Sequence, residues 1–168
     1  MLKQLKKKYP YAKEEALKGI DLSIYEGEFF GLLGPNSAGK TTLISIFCGL
    51  LKISQGEVFV NGIDDNRHPR KIRRSIGLIP QDIALYPSLT IKENLRYFGQ
   101  LHSIYGTELN NRIDESLSIF QLTGHCNKLV SKCSGGIKRR ANLIAGLIHK
   151  PKIVFLDEPT LGVDAQSR

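Results

Sequence analysis

A glycine-rich loop that ends in a lysine and two threonines is the first part of the sequence that could do chemistry. The segment GPNSAGKTT at 34–42 fits the pattern GxxxxGK[ST] through Gly34, Gly39, Lys40 and Thr41. Glycines let backbone N–H groups curl around an anion, and a helix that follows adds positive potential at its N-terminus. We expect Lys40 to reach the β- and γ-phosphates of a nucleotide and the Thr41 hydroxyl to hold Mg²⁺. The alternative is a tight strand-to-helix turn that binds no ligand.

Two adjacent carboxylates form the second candidate. Asp157 and Glu158 follow the apolar run 153–156, at the end of a predicted strand, where open α/β sheets bind their ligands. Since side chains alternate on an extended chain, one carboxylate can hold Mg²⁺ while the other orients a water for attack on a γ-phosphate. Alone, the pair could equally cap the exit of a strand. Together with the loop at 34–42, it predicts hydrolysis of a nucleoside triphosphate.

A second glycine-rich segment, CSGGIKRR at 133–140, opens what the sequence predicts to be a basic helix. A helix N-terminus with free backbone N–H groups is a natural anion site. One small chain therefore carries two segments suited to binding phosphate, and this duplication needs a reason.

Hydrophobic periodicity predicts the elements that position these segments. After the first loop, Leu43, Ile46, Phe47 and Leu50 repeat at the spacing of an amphipathic helix. Apolar and alternating runs bounded by turn residues predict strands at 16–27, 27–34, 56–62, 75–81 and 153–159. The run 27–34 is expected to be a buried strand, 56–62 to end in an Asn-Gly turn, and 153–159 to belong to a parallel sheet covered on both faces.

The middle of the chain, at about 87–132, is predicted to be a helical insert in an α/β protein. Thr90 and Glu93 have the spacing of a capping box. Apolar stripes then continue through one helix to Leu101 and through a second helix that follows Gly106.

Composition limits the class of protein. The chain has 168 residues, 41% of them hydrophobic and 24% charged, which is typical of one soluble globular domain. No apolar run reaches the roughly 18 residues that span a bilayer. Cys48, Cys126 and Cys133 form no CxxC pair, which indicates a reducing, cytoplasmic setting without a zinc site. The net charge of +8 lies mostly in local clusters that are commonly solvated faces, with anionic lipid or nucleic acid as the alternatives.

Five motifs in register resemble the nucleotide-binding domain of ABC transporters. The combination of SGG with KRR, and the segment ALYPSLTIKENL after Gln81, is most similar to exporters of the drug and polysaccharide type. The motifs are GPNSAGKTT, Gln81 in GLIPQD, SGG at 134–136, FLDEPT at 155–160 and LGVD at 161–164. The resemblance covers nearly the whole chain. It implies a P-loop NTPase core of RecA-like type with a mixed sheet, an antiparallel β subdomain and an inserted α-helical subdomain. The core and β subdomain would comprise 1–86 and 133–168, and the helical subdomain about 87–132.

The resemblance also explains the two phosphate-binding segments, because two such domains pair head to tail and the SGG loop of one covers the ATP of the other. The implied catalytic residues are Glu158 and Gln81. The implied ligands of Mg²⁺ are Thr41, Gln81 and Asp157. The implied contacts to ATP are Tyr9, Asn36, Ser37, Ala38, Gly39, Lys40, Thr41, Thr42, Ser134, Gly135, Gly136 and Asp164. Tyr9 is preferred to Tyr11 as the residue that stacks on adenine.

The implied function is that of an ATPase subunit, peripheral on the cytoplasmic face of the membrane, which powers export by a separate permease. The permease would dock near Pro80 to Tyr86. The alternatives are an ABC-type ATPase that acts on nucleic acid or the ribosome, although no nucleic acid partner is expected, and a module that binds ATP with little turnover.

Three departures from the family pattern affect this expectation. Ser37 stands at a usual glycine, and Cys133 and Ile137 replace the usual leucine and glutamine around SGG. The family also places a histidine after the carboxylates, beyond Arg168, so the sequence is interpreted as C-terminally truncated. We expect weak turnover, or none, from such a chain.

Overall fold

The computed structural model of the protein describes residues 1–35, 38–64 and 68–157. The chain divides into two compact units, Met1–Arg73 and Arg74–Arg168. Each unit brings together a different part of the candidate site, and each is described separately below.

The first unit is built on a four-stranded antiparallel sheet in the order β2-β1-β3-β4. The strands are β1 (Leu2–Lys8), β2 (Glu15–Leu22), β3 (Gln55–Val60) and β4 (Ile63–Asp64). Alternation along β3 buries Val58 and Val60. On β1 the pairing is irregular between Leu2 and Leu5, and both of these residues are buried.

The Asn-Gly turn predicted at the end of the strand 56–62 is confirmed. Asn61 and Gly62 both have positive φ, 51° and 72°, as a two-residue hairpin turn requires. The turn pairs Val60 with Ile63 across the β3–β4 hairpin.

Helix α1 (Lys40–Phe47) begins directly after the first glycine-rich loop. Its buried residues are Leu43, Ile46 and Phe47, so most of the predicted stripe is confirmed. Leu50 lies beyond the end of the helix and is 64% exposed. A second, short helix, α2 (Pro69–Arg74), closes this part of the chain.

The buried strand predicted at 27–34 is wrong for the described residues. Residues 28–35 have no regular secondary structure, and no described strand pairs with them. Phe29 is 104% exposed and Leu33 is 93% exposed. An apolar run forms a strand only when a neighbouring strand takes up its backbone hydrogen bonds, and the run itself carries no information about that neighbour.

The second unit combines a parallel strand pair with three long helices. Strand β5 (Ile76–Ile79) pairs in parallel with β6 (Ile153–Leu156), from Ile76↔Ile153 to Ile79↔Leu156. The predicted parallel pairing is therefore confirmed. The prediction that the 153–159 strand is covered on both faces is not, because Val154 and Leu156 are 40% and 46% exposed. An apolar sequence shows that a strand prefers burial, not which elements cover it.

The helices are α3 (Ile91–Leu101), α4 (Gly106–Ile119) and α5 (Gly135–Leu147), with 3-10 turns at Thr123–His125 and Val130–Lys132. The predicted capping box is confirmed: the Thr90 side chain accepts from the Glu93 amide, and the Glu93 carboxylate accepts from the Thr90 amide. The core shared by the three helices includes Leu95, Ile113, Leu117 and Ile144, all at most 2% exposed. Helix α5 thus packs with the helices of the predicted insert. Where a subdomain boundary falls stays a prediction.

Candidate functional site

The first glycine-rich loop holds its lysine over its own backbone. The Lys40 Nζ donates to the carbonyl oxygens of Gly34 and Pro35, at 2.7 and 2.9 Å. The Ala38 amide also donates to Pro35 O at 3.0 Å, which curls the chain just before α1. An ammonium group held in this way is already placed above the loop, and an incoming phosphate can replace the two carbonyls as its partner.

Gly39 is the residue that makes the loop-to-helix junction possible. It is the N-cap of α1, with φ 83° and ψ 11°, a left-handed conformation that favours glycine. A Cβ at this position would lie 2.8 Å from the carbonyl oxygen of Ala16 and from Leu17 Cδ2. The close approach of β2 therefore excludes any larger residue.

The N-terminus of α1 is electrostatically open to an anion. Its first turn contains no acidic residue, and no side chain caps it. Its free N–H groups and the helix dipole leave positive potential there. Thr41 is exposed in this first turn, so its hydroxyl is accessible to a hard cation such as Mg²⁺, which prefers oxygen ligands.

Tyr9 lies against the same helix turn. Its phenol and the Thr42 hydroxyl share a hydrogen bond of 3.1 Å. The Lys7 Nζ stands 5.5 Å from the centre of the Tyr9 ring and donates to Lys52 O at 2.6 Å. Tyr11, the alternative aromatic residue, is 106% exposed. The structure therefore brings Tyr9, not Tyr11, into contact with the threonine of the loop.

An open groove of about 420 Å³ runs between β2 and the loop. Its lining residues are Glu14, Glu15, Ala16, Leu17, Lys18, Ile20 and Ala38. The groove lies beside the glycine-rich loop and is open to solvent.

In the second unit, Gln81 lies in an exposed loop between β5 and α3. Arg139 binds the backbone of this loop: its Nη1 donates to Pro80 O at 2.8 Å and to Gln81 O at 2.9 Å. Asp157 follows β6, is half-buried, and donates its amide to Ile79 O at 3.0 Å. Gln81 and Asp157 therefore follow neighbouring parallel strands at the same edge of the sheet, as expected for a ligand-binding edge.

The second glycine-rich segment forms the start of α5, as predicted. Ser134 is the N-cap, in extended conformation, and its side chain makes no capping hydrogen bond. Gly135 and Gly136 are exposed in the first turn, which carries no acidic residue. The serine hydroxyl and the N–H groups of this turn are thus available to an anion outside the chain.

Four predicted site residues, Asn36, Ser37, Glu158 and Asp164, lie outside the described residues.

Sequence reasoning missed three side chains, Asn94, Arg139 and Asn142. All are buried beside the Gln81 loop. The position of Asn94 could have indicated a buried polar side chain, because it falls three residues after Ile91, on the apolar stripe of α3.

Comparison with known proteins gives one consistent result. A family model described as ABC transporter matches residues 17–161. The chain is 44% identical over 161 residues to the linearmycin resistance ATP-binding protein LnrL of Bacillus subtilis, covering 96% of this chain and 52% of that protein. The chain thus spans about half the length of that curated relative.

Solved structures agree with this match. The dimeric ATP-binding cassette MJ0796, described in a post-hydrolysis state with ADP and Pi, superposes with a TM-score of 0.85 at 33% identity. That match covers 99% of this chain and 76% of the cassette. The cbiO1 protein of Clostridium perfringens, described as part of the complex cbiONQ, gives a TM-score of 0.86 at 31% identity, over 97% of this chain and 66% of its own.

Proposed function

The chain belongs to the ABC transporter family, and from this premise we propose that it binds Mg²⁺-ATP at 34–42 and hydrolyses it to drive transport through a separate membrane subunit. The observation that carries the proposal is the placement of Lys40 above the carbonyls of Gly34 and Pro35, at the open N-terminus of α1. A fixed ammonium group beside free helix N–H groups suits a polyphosphate better than any neutral ligand.

The remaining roles extend the same proposal to the rest of the nucleotide. The loop residues 36–42 would surround the phosphates, and Tyr9 would stack on adenine, a role supported by its bond to Thr42. Thr41, Gln81 and Asp157 offer hydroxyl, amide and carboxylate oxygens, a donor set that fits Mg²⁺. The bound metal would neutralise charge on the phosphates.

Hydrolysis would then depend on two groups that handle the attacking water. We assign Glu158 to accept its proton and Gln81 to orient it. Both assignments stay predictions from the sequence and the family.

A second copy of the cassette is the proposed partner at the nucleotide. Ser134, Gly135, Gly136 and Asp164 would contact the ATP held by that copy. The proposal is supported by the uncapped first turn of α5 and by the dimeric state named for the MJ0796 cassette. In the proposed dimer, the γ-phosphate is shared by two helix N-termini, so that ATP holds the copies together.

The proposed site for the membrane subunit is the loop Pro80 to Tyr86. Ile83 and Tyr86 are 37% and 45% exposed there, and Tyr86 packs edge-on against Tyr97 with ring centroids 5.0 Å apart. Exposed apolar and aromatic side chains suit a helix that presents an apolar face. Among the described residues, no helix is both long and apolar enough to cross a bilayer.

From the family match, we propose that the chain acts at the cytoplasmic face of the membrane. The drug-resistance name of the Bacillus relative supports an exported drug as the substrate class.

The test of this function is ATP binding by Lys40→Ala. Removing the ammonium group should weaken Mg²⁺-ATP binding on the order of 10²-fold, because charge-assisted hydrogen bonds to phosphate are lost. Lys71→Ala, which removes an exposed lysine from α2 of the same unit, serves as the control and should bind as the wild type does. Isothermal titration of both variants decides the matter, and equal affinity in Lys40→Ala would remove the phosphate-loop assignment.

A further inference from the structure

Three polar side chains of the second unit are almost completely buried, and all three bind the backbone of one loop. Asn94 is 0% exposed, Asn142 is 3% and Arg139 is 4%. Burying polar groups costs free energy unless hydrogen bonds replace those to water. Their common target, the loop 80–86, therefore needs an explanation.

Two of the three side chains come from α5. The Arg139 Nη1 donates to Pro80 O and Gln81 O, at 2.8 and 2.9 Å. The Asn142 Oδ1 accepts from the Ala84 amide at 3.0 Å. Residues three apart lie on the same face of a helix, so one face of α5 holds both ends of the segment 80–84.

The Asn142 contact is retained at a cost. Its Nδ2 is buried and has no hydrogen-bond partner among the described residues. An unpaired buried donor destabilises a fold, and an apolar residue of similar size would avoid this penalty. The bond to the Ala84 amide is the interaction that an apolar residue could not make.

Asn94 holds the far end of the loop from α3. Its Oδ1 accepts from the Tyr86 amide at 2.8 Å, and its Nδ2 donates to Tyr86 O at 3.1 Å and to Thr90 O at 2.9 Å. The loop is thus fixed at its first two residues, in the middle and at its end.

The neighbouring arginine shows that this pattern is specific to one face of α5. The Arg140 Nη1 donates to Phe120 O at 3.0 Å, at the C-terminal end of α4, and not to the loop. Arg139 and Arg140 are adjacent and chemically identical, and each donates to backbone carbonyls. They differ in the segment that they bind: Arg139 binds the loop 80–86, and Arg140 binds the end of α4.

We propose that Arg139, assisted by Asn142, is a positioning residue that ties helix α5 to the loop bearing Gln81, so that the two move as one. The helix begins at Ser134, which the proposed function places on the ATP of a second copy, and the chemical consequence of the tie rests on that proposed function. Engagement of Ser134 by the partner's nucleotide then fixes the orientation of Gln81 in the same chain. A guanidinium group suits this role because it stays charged and its Nη1 reaches both carbonyls.

Hydrogen exchange of the nucleotide-free chain tests the tie directly. In Arg139→Met, exchange of the Tyr86 amide should rise on the order of 10-fold, because loss of the charged anchor loosens the segment. The acceptor of this amide is Asn94, which remains intact, so the rise reports movement of the whole segment. In the control Arg140→Met, the Tyr86 amide should exchange as in the wild type.

Two outcomes would overturn the proposal: wild-type exchange of Tyr86 in Arg139→Met, or an equal rise in Arg140→Met. If Arg139→Met does not fold, Asn142→Ala carries the same test, since it also leaves Asn94 in place. Unchanged Tyr86 exchange in that variant would overturn the proposal as well.

The rate of ATP hydrolysis distinguishes a positioning role of Arg139 from a merely structural one. In a protein of the full length of its relatives, for which turnover is expected, Arg139→Met should lower kcat for ATP about 10-fold with KM within about 2-fold, because Gln81 would be misplaced while the phosphate loop is untouched. Arg139→Lys should restore kcat, since one ammonium group can bind two successive carbonyls, as Lys40 does in the first unit. No rescue by lysine, or equal losses in Arg140→Met, would contradict the proposal. If the wild type fails to bind ATP, the proposed function fails, while the exchange experiment still decides whether the tie exists.

Discussion

At the scale of single residues, the stacked imidazoles of His102 and His149 show how burial controls charge in the second unit. Their ring centroids are 3.6 Å apart and their planes differ by 5°. The His149 Nε2 donates to Ile76 O at 3.0 Å, so its neutral form carries the proton on Nε2. Burial lowers the pKa of both rings below the usual 6.5, helped at His102 by His149 and Arg74 and at His149 by Arg112, while the bond to Ile76 opposes the shift.

This pair predicts a loss of stability in mild acid. Because the folded-state pKa values are lowered, the stabilisation is fully present above about pH 6.5 and is lost as the pH falls through the folded-state values. His102→Phe keeps a ring stacked on His149 but cannot titrate. In this variant the free energy of unfolding should fall less steeply with decreasing pH, because unfolding takes up as much as one proton fewer than in the wild type. Urea unfolding between about pH 8 and pH 5 measures the slope. Equal slopes in the variant and the wild type would exclude the stack as a source of the pH dependence.

Single residues also mark the limit of what the sequence could show about the site. The phosphate-loop pattern identified Lys40 because a covalent spacing determines which residues can surround a phosphate. Arg139 lies in a run of three basic residues, and nothing in that run distinguishes it from Arg140. Only the packing of α5 decides that one arginine is 4% exposed and holds a loop while the other holds the end of α4.

At the scale of elements, helix α3 has the best-defined start. The Thr90 hydroxyl accepts from the Glu93 amide at 3.2 Å, and the Glu93 carboxylate accepts from the Thr90 amide at 2.8 Å. The Thr90 amide and the Thr90 hydroxyl, which donates to the Glu93 carboxylate at 2.7 Å, lower the pKa of this carboxyl. The cap also fixes Thr90 O, which accepts from Asn94, so it supports the side chain that holds the end of the Gln81 loop.

We therefore expect Thr90→Ala to destabilise the protein by about 1 kcal/mol, the usual cost of losing a threonine N-cap. Thr107→Ala is the control: Thr107 lies exposed in the first turn of α4, and its replacement should cost less than about 0.5 kcal/mol. Chemical denaturation of the two variants beside the wild type gives both values. Equal losses would mean that the capping box contributes nothing beyond helix propensity.

Elements governed by local rules were predicted well, and those governed by distant partners were not. The α3 cap, the Asn61-Gly62 turn and the start of α5 at Ser134 each depend on a few successive residues, and all three were confirmed. The strand expected at 27–34 depended on a partner that its own residues do not specify. The cover expected on the strand at 153–156 failed for the same reason.

At the scale of the whole molecule, charge opposes the proposed pairing of two copies. Each chain carries a net charge of +8, so two copies repel one another at low ionic strength. Both glycine-rich segments add the positive ends of helices to this repulsion. The phosphates of ATP would supply the negative charge that both segments need, and association of two copies should therefore require nucleotide.

Glu158→Gln is the variant that should reveal this association. Removing the proposed base should slow hydrolysis on the order of 10²-fold or more while the phosphate loop still binds ATP, so the pair persists. Light scattering at low salt should show the 18.8 kDa chain without nucleotide and twice that mass with Mg²⁺-ATP. The double variant Lys40→Ala, Glu158→Gln should stay at the single mass, because its loop no longer holds the nucleotide. A pair that forms without ATP, or an ATP-loaded chain that stays single, would show that the terminal phosphate does not hold two copies together.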